Sequence, residues 1–422
     1  MAIAIRSGEA TRQVQMVCLD ELVGEDDVLR RIERLVLWEL VRETARPFYS
    51  DFGRPGVDPV VLVKVFLVAA IRGSGSMRET LRIAQVDLSI RRFLGYGLTE
   101  ALPHHATFSY AQCVRFANSS VFEQLFTQVL ASCREAGLLD GSRLIVDATH
   151  VEADAALKSL RAELEVIDGD VETHPPAGDE AQPDRPSLAL AERRTGSTPK
   201  RKATNATAVS RTDPDAKLRY KPGHRPHLVH RAQVATDPKA RVIVAVNAEP
   251  ATGHEADSLP VIIDRAKWLR HHVAELVADA GYASDAVYTD LAGRGITAYI
   301  PPQPNMLKRE NGQAARQRCR TPAGVSAAID RITHGEGAIS ELKRHGIDRA
   351  RCRGTRKLQV QLLLAATAIN LKRLINRPPA AENAAHGDDH AHHAKITAHL
   401  TIIRGCLTAL QAIPTTTSTT RS

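Results

Sequence analysis

Three carboxylates, far apart in the chain, have the surroundings that chemistry needs. Asp147 closes the apolar run Leu144–Ile145–Val146 within "LIVDATHVEADAAL", and Asp279 follows the run "ELVA". An apolar strand ending in an acid delivers a carboxylate to the carboxyl edge of a sheet, where α/β folds build their sites. Glu336 lies in "THGEGAISELKRHG", which reads as a helix stopped by Gly346. At about 100° per residue, Glu336, Ile339, Ser340 and Lys343 share one face and Glu341 points away. One glutamate can therefore join the two aspartates. Three carboxylates around hard cations suit Mg²⁺ or Mn²⁺ and phosphoryl transfer.

Next to Glu336 runs "KRHGIDRARCRGTRK", with Lys343, Arg344, Arg349, Arg351, Arg353, Arg356 and Lys357 against one acid, Asp348. A solvated loop is the plainer reading. Such density beside a metal-binding acid favours contact with phosphates instead. Glu152 and Asp154 fall beyond the first strand, at the rim rather than in the site. His150 has no second histidine at ligand spacing, which argues against a zinc hydrolase. His390, His392 and His393 belong to a polar tail. Asn370, Lys372 and Arg373 either touch DNA or merely end an apolar helix.

These residues need elements to hold them. Residues 24–135 read as helical, with "DDVLRRIERLVLWELVRETARPF" as one helix and "HATFSYAQCVRFANSSVFEQLFTQVLASCREAG" as another. Between them Asp58-Pro59 starts a buried helix, and Ser76 with Glu79 forms a capping box for the next. Beyond residue 138 the pattern becomes β–β–β–α–β–α–β, with "HLVHRAQVAT" and "ARVIVAVNA" as a hairpin. That order predicts an α/β domain with a mixed sheet flanked by helices, preceded by an all-helical domain. The expected divisions are a helical domain over 1–138, a catalytic domain over 139–377, and a polar tail over 378–422. A Pro- and charge-rich insertion at about 158–222 reads as flexible.

Bulk properties narrow the partners. Formal net charge is +8 and the isoelectric point about 9.3, which points to a polyanion. Six cysteines without a CxxC pair argue against a zinc finger or a disulfide framework and fit a reducing cytoplasm. The run "VVLVKVFLVAAI" contains Lys64 and is too short to span a bilayer, so no membrane role is expected. The opening "MAIAIRSGEATRQ" turns polar at once and does not read as a signal peptide.

The sequence resembles the DDE transposases of bacterial insertion sequences over most of residues 45–376. The blocks that carry the resemblance are "VDATHVEADAALKS", "RTDPDA", "PGHRPHLVHRAQ", "ADAGYAS" and "RITHGEGAISELKRHGIDRARCRGTRKLQVQLLLAATAINLKRL". "YSDFGRPGVDPVVLVKVFLVAAIRGSGSMRE" with "LPHHATFSYAQ" is similar to their helical N-terminal domain. The resemblance implies a ribonuclease-H-like catalytic domain with Asp147, Asp279 and Glu336 as its catalytic and metal-binding triad. It implies Mg²⁺-dependent cleavage of double-stranded DNA at element ends, then strand transfer into target DNA by a homo-oligomer. Lys343 resembles the basic residue that holds a phosphate one face below the glutamate. The alternatives are a decayed transposase acting only as a DNA-binding regulator, and a metal nuclease that cuts without joining.

Overall fold

The computed structural model describes residues 16–50, 52–53, 55–162, 204–205, 208–220, 225–267 and 273–377. The tail from 378, with His390, His392 and His393, lies outside them, as does most of the insertion. The described N-terminal residues are helical up to Glu135. Helix Pro59–Arg72 shows local sequence at work. Asp58 accepts a hydrogen bond from the Val60 amide (2.7 Å), Pro59 fills the first turn, and Gly73 closes the helix at φ 63°. Its Lys64, buried in the apolar run, donates to Glu33 Oε1 and the Phe93 carbonyl, both at 2.6 Å.

Two helices expected as continuous are broken. The first divides into Val28–Leu35 and Trp38–Ala45, and Trp38 Nε1 donates to the Glu33 carbonyl (3.1 Å) at the break. The second divides into His105–Tyr110, continued by a π turn to Arg115, and Val121–Glu135. The gap holds Asn118, Ser119 and Ser120, whose side chains compete for backbone partners, and Ser119 Oγ donates to the Phe116 carbonyl (3.0 Å). The capping box is half formed. Ser76 accepts from the Glu79 amide (3.2 Å), but the Glu79 carboxylate pairs with Arg82 (2.8 Å).

The strands are β1 (Arg143–Glu152), β2 (Leu160–Ala162), β3 (Ala208–Ser210), β4 (Lys217–Arg219), β5 (His227–Asp237), β6 (Val242–Pro250), β7 (Glu275–Val277) and β8 (Thr297–Tyr299). β1 is central, antiparallel to β5 and parallel to β7, which is parallel to β8. β6 pairs antiparallel with β5, and β4 adds to the start of β5. Three antiparallel strands running on into two parallel ones, with helices between, make a ribonuclease-H-like mixed sheet. The ends of the insertion contribute β2–β3, a separate pair, and β4. Strands of three residues are too short for alternation to be read from sequence.

Packing is continuous across residues 138–139. Helix Thr355–Ile375, the longest of the described helices, packs on β6 and on helices Pro59–Arg72 and Val121–Glu135 within one hydrophobic core. Two of its amide side chains cover the outer edge of β6. Asn370 exchanges hydrogen bonds with the Ile243 amide (3.0 Å) and carbonyl (2.8 Å). Gln359 accepts from Ala248 N (2.7 Å) and donates to Val246 O (3.0 Å). An open sheet edge is thus closed by a helix.

Candidate active site

β1 and β7 run parallel, with Arg143 beside Glu275, Leu144 beside Leu276 and Ile145 beside Val277. Asp147 and Asp279 each lie two residues beyond the last of these pairs, so one register sets them side by side. Asp147 Oδ1 accepts from the Ala148 amide (2.8 Å), and Asp279 Oδ1 from the Gly281 amide (2.8 Å). Burial, followed by the charges of Asp279 and Glu255, pushes the Asp147 carboxyl up to about 6 against the pull of the Ala148 amide.

Glu336 approaches from the far end of the chain. Helix Pro322–Asp330 widens to a π turn over Arg331–Glu336 before resuming as Gly337–Leu342. Such turns recur where a helix must present a functional group. Gly335 permits the approach: a Cβ there would lie 3.0 Å from Ile145 Cγ2 and 3.8 Å from Asp147 Oδ2. The next residue, Glu336, has its side chain 57% exposed, 3.6 Å from Arg331 Nη1. Glu341 turns away and pairs with Arg373. Among the described residues, no three His, Cys, Asp or Glu side chains converge closely enough to hold a metal ion. Asp147 and Asp279 lie side by side, and the residue before Glu336 approaches Asp147.

The basic run is stitched to the end of β1. Glu152 N donates to Asp348 O (3.0 Å) and Ala350 N to Glu152 O (2.8 Å), so residues 348–350 run alongside the strand that carries Asp147. Lys343, Arg344, Arg349, Arg353 and Arg356 are exposed, whereas Arg351 and Lys357 are half-buried. Arg353 lies 3.7 Å from Asp154. Arg225, Arg349 and Arg353 line an open cleft of about 570 Å³ together with Glu152 and Asp154. Nearby, burial and then Arg219, Arg231 and Lys343 push His150 down to about 4, leaving a neutral imidazole.

Asn370, Lys372 and Arg373 are engaged within the protein. Asn370 is fully buried, Lys372 Nζ lies 3.1 Å from His345 Nε2, and Arg373 pairs with Glu341. Packing removes Asn370 from the surface.

The sequence left the role of the polar residues of β5, His230, Arg231 and Gln233, open. His230 Nε2 lies 2.9 Å from Asp213 Oδ2, both fully buried. Burial pushes the Asp213 carboxyl up, but the His230 ring and the Gly354 amide outweigh it and hold the group low. Arg231 donates to Glu249 Oε1 (3.2 Å), His254 O (3.2 Å) and Gly253 O (3.1 Å), and Gln233 to Glu255 O (2.8 Å). Together they pin the turn Glu255–Ser258 over the sheet edge. The available signal was "HRAQ" inside an otherwise apolar strand.

Two family models match this chain. The family described as "Transposase DDE domain" matches residues 138–371, over half of the chain, and "Transposase domain (DUF772)" matches residues 17–112. No curated protein matches. Two solved structures, a Mos1 transposase paired-end complex with left transposon end and a pre-cleavage Mos1 transpososome, match at 10% identity. Each comparison covers 78% of this chain and 81% of the other, with a TM-score of 0.18. A likeness that low carries no argument.

Proposed function

This chain belongs to the family of transposases with a DDE domain, and from that premise we propose that it cuts DNA at the ends of an insertion sequence and joins the freed ends to target DNA. The family is a class of enzymes that transfer phosphoryl groups on DNA. The observation that carries the proposal is the shared register of Asp147 and Asp279, with Gly335, the residue before Glu336, close to Asp147.

The donor set fits a hard divalent cation. Two adjacent aspartates meet at the edge, and Asp147 is raised by burial and by its like-charged neighbours although Arg331 acts the other way, the condition that a bound cation relieves. Asp147, Asp279 and Glu336 would hold Mg²⁺ or Mn²⁺. When bound, such ions lower the pKa of water and neutralise charge on the attacking and leaving oxygens. The protein's own work is positional. The Ala148 and Gly281 amides orient the two aspartates, and Gly335 fixes the helix at β1. The Arg331–Glu336 contact is long, at 3.6 Å, and its Glu336 end is exposed, so releasing Glu336 from it costs little.

Lys343, Arg344, Arg349, Arg351, Arg353, Arg356 and Lys357 are proposed to bind double-stranded DNA, led by those whose side chains are exposed. The helical region of residues 1–138 would recognise element ends, and a homo-oligomer would hold two of them in the cytoplasm, associated with the nucleoid. The test uses a labelled element-end duplex with target plasmid and Mg²⁺. Wild type should yield joined products, and Asp279→Asn none. Cleaved ends without joining would favour a nuclease, and binding without cleavage a regulator.

A further inference from the structure

Beyond the three acids legible in the sequence, we propose that Glu255 is a fourth carboxylate of the same site and shares a divalent cation with Asp147 and Asp279. The inference rests on the functional reading above and adds a residue to its machinery.

The geometry starts at Gly281. A Cβ built there would lie 2.9 Å from Asp279 Oδ1 and 3.1 Å from Glu255 Oε2, so the two carboxylates converge on one bare Cα. Glu255 reaches that point because of the turn that carries it. After β6 the chain folds back through Glu255–Ser258 into helix Leu259–Lys267. The turn is closed locally by His254 and Asp257, whose side chains each bond the other's backbone. It is fastened to β5 by Arg231 and Gln233, through the Gly253, His254 and Glu255 carbonyls. A surface turn with no task would not need a buried arginine and a buried glutamine to hold it.

A second observation points into the same place. Tyr282 is fully buried, yet its hydroxyl has no hydrogen-bond partner. The charges acting on that hydroxyl are those of Glu255, Asp147, Asp279 and Glu249. Buried hydroxyls are normally satisfied, and this unpartnered one lies within the field of the acids on which an ion and its water would sit. Glu255 is half-buried and is raised by burial and then by Asp279, so it shares the unrelieved charge. Arg231, Arg219 and Glu249 are the other charged groups that act on it. Arg231 is committed to Glu249 and to backbone carbonyls.

The test reads ion binding directly. Mn²⁺ would be titrated by calorimetry into wild type, Asp147→Asn, Asp279→Asn, Glu255→Gln and Glu152→Gln, each first checked by thermal melting without metal. Glu255→Gln keeps the size of the side chain and removes a charge, so it should melt no lower than wild type and bind Mn²⁺ at least tenfold more weakly. Glu152→Gln, at the exposed end of β1, should bind as wild type does. If both aspartate variants lose Mn²⁺ while Glu255→Gln binds normally, Glu255 is no ligand and the functional reading stands. If wild type binds no Mn²⁺ with or without element-end DNA, both readings fall.

Discussion

Asp147 and Asp279 stand abreast on neighbouring parallel strands, each two residues past the paired Ile145 and Val277. Neither has a cationic hydrogen-bond partner; their carboxylates accept from the Ala148 and Gly281 amides. The pair is therefore a source of repulsion that the fold tolerates without benefit to its own stability.

Asp147→Asn should stabilise the metal-free protein while abolishing cleavage. The folded carboxyl titrates at about 6, against 3.8 in an unfolded chain, because burial and then Asp279 disfavour its charge. The folded state thus holds the proton more tightly. The penalty is absent well below pH 4, grows as pH rises, and is complete above pH 6. Wild type should lose about 1–3 kcal/mol of stability across that window. Asp147→Asn should lack that slope and melt higher at pH 7, and its cleavage rate should fall at least ~10²-fold. An unchanged pH slope in the variant would refute the assignment.

Gly335→Ala tests the contact between the Glu336 helix and β1. In a helix, alanine normally gains about 0.5–1 kcal/mol over glycine. Here the added methyl meets Ile145 Cγ2 at 3.0 Å and comes within 3.8 Å of Asp147 Oδ2. The helix must move outward and carry Glu336 with it. Cleavage should fall at least ~10-fold, with a melting temperature close to wild type because the two effects oppose. A variant with full activity would show that the approach is not needed.

What could be read in advance follows from range. Asp147 and Asp279 each end an apolar run, and a strand needs only its own residues to declare itself. Glu336 was separable from Glu341 by helical spacing, although the π turn at Arg331–Glu336 and the break at His345–Gly346 mean that the helix is not regular throughout. Glu255 announced nothing. It follows no apolar run and is delivered by a short turn whose anchors, Arg231 and Gln233, lie over twenty residues away. The break at Val36–Leu37 contains neither glycine nor proline, so periodicity ran straight through it. Asn370 looked like the polar end of a helix because its partner, the edge of β6, is 127 residues distant.

The basic run should divide by burial. Arg349 is exposed beside β1, so Arg349→Ala should weaken DNA binding alike for all sequences and reduce the salt slope by about 1. Its melting temperature should not change. Arg351 is half-buried and lies against Gly346, and burial lowers its pKa. Arg351→Ala should instead cost about 1–2 kcal/mol of stability through lost packing. Fluorescence anisotropy over a salt series, paired with melting curves, separates the two. Equal behaviour of both variants would show that burial does not sort these residues.

Asn370→Ala should be among the most destabilising changes outside the site. Its amide satisfies both polar groups of Ile243 on the outer edge of β6, in a position fully shielded from water. Truncation leaves a buried N–H and a buried C=O unpaired, at about 2–4 kcal/mol together. Asn370→Asp should be worse, because it removes the donor to the Ile243 carbonyl and buries a charge. Lys372→Ala, one turn from the helix end, should cost far less. Chemical denaturation of the three variants gives the order directly. A stable Asn370→Ala protein with weakened DNA binding would return Asn370 to the DNA surface, and would mean that the edge of β6 is closed by other means.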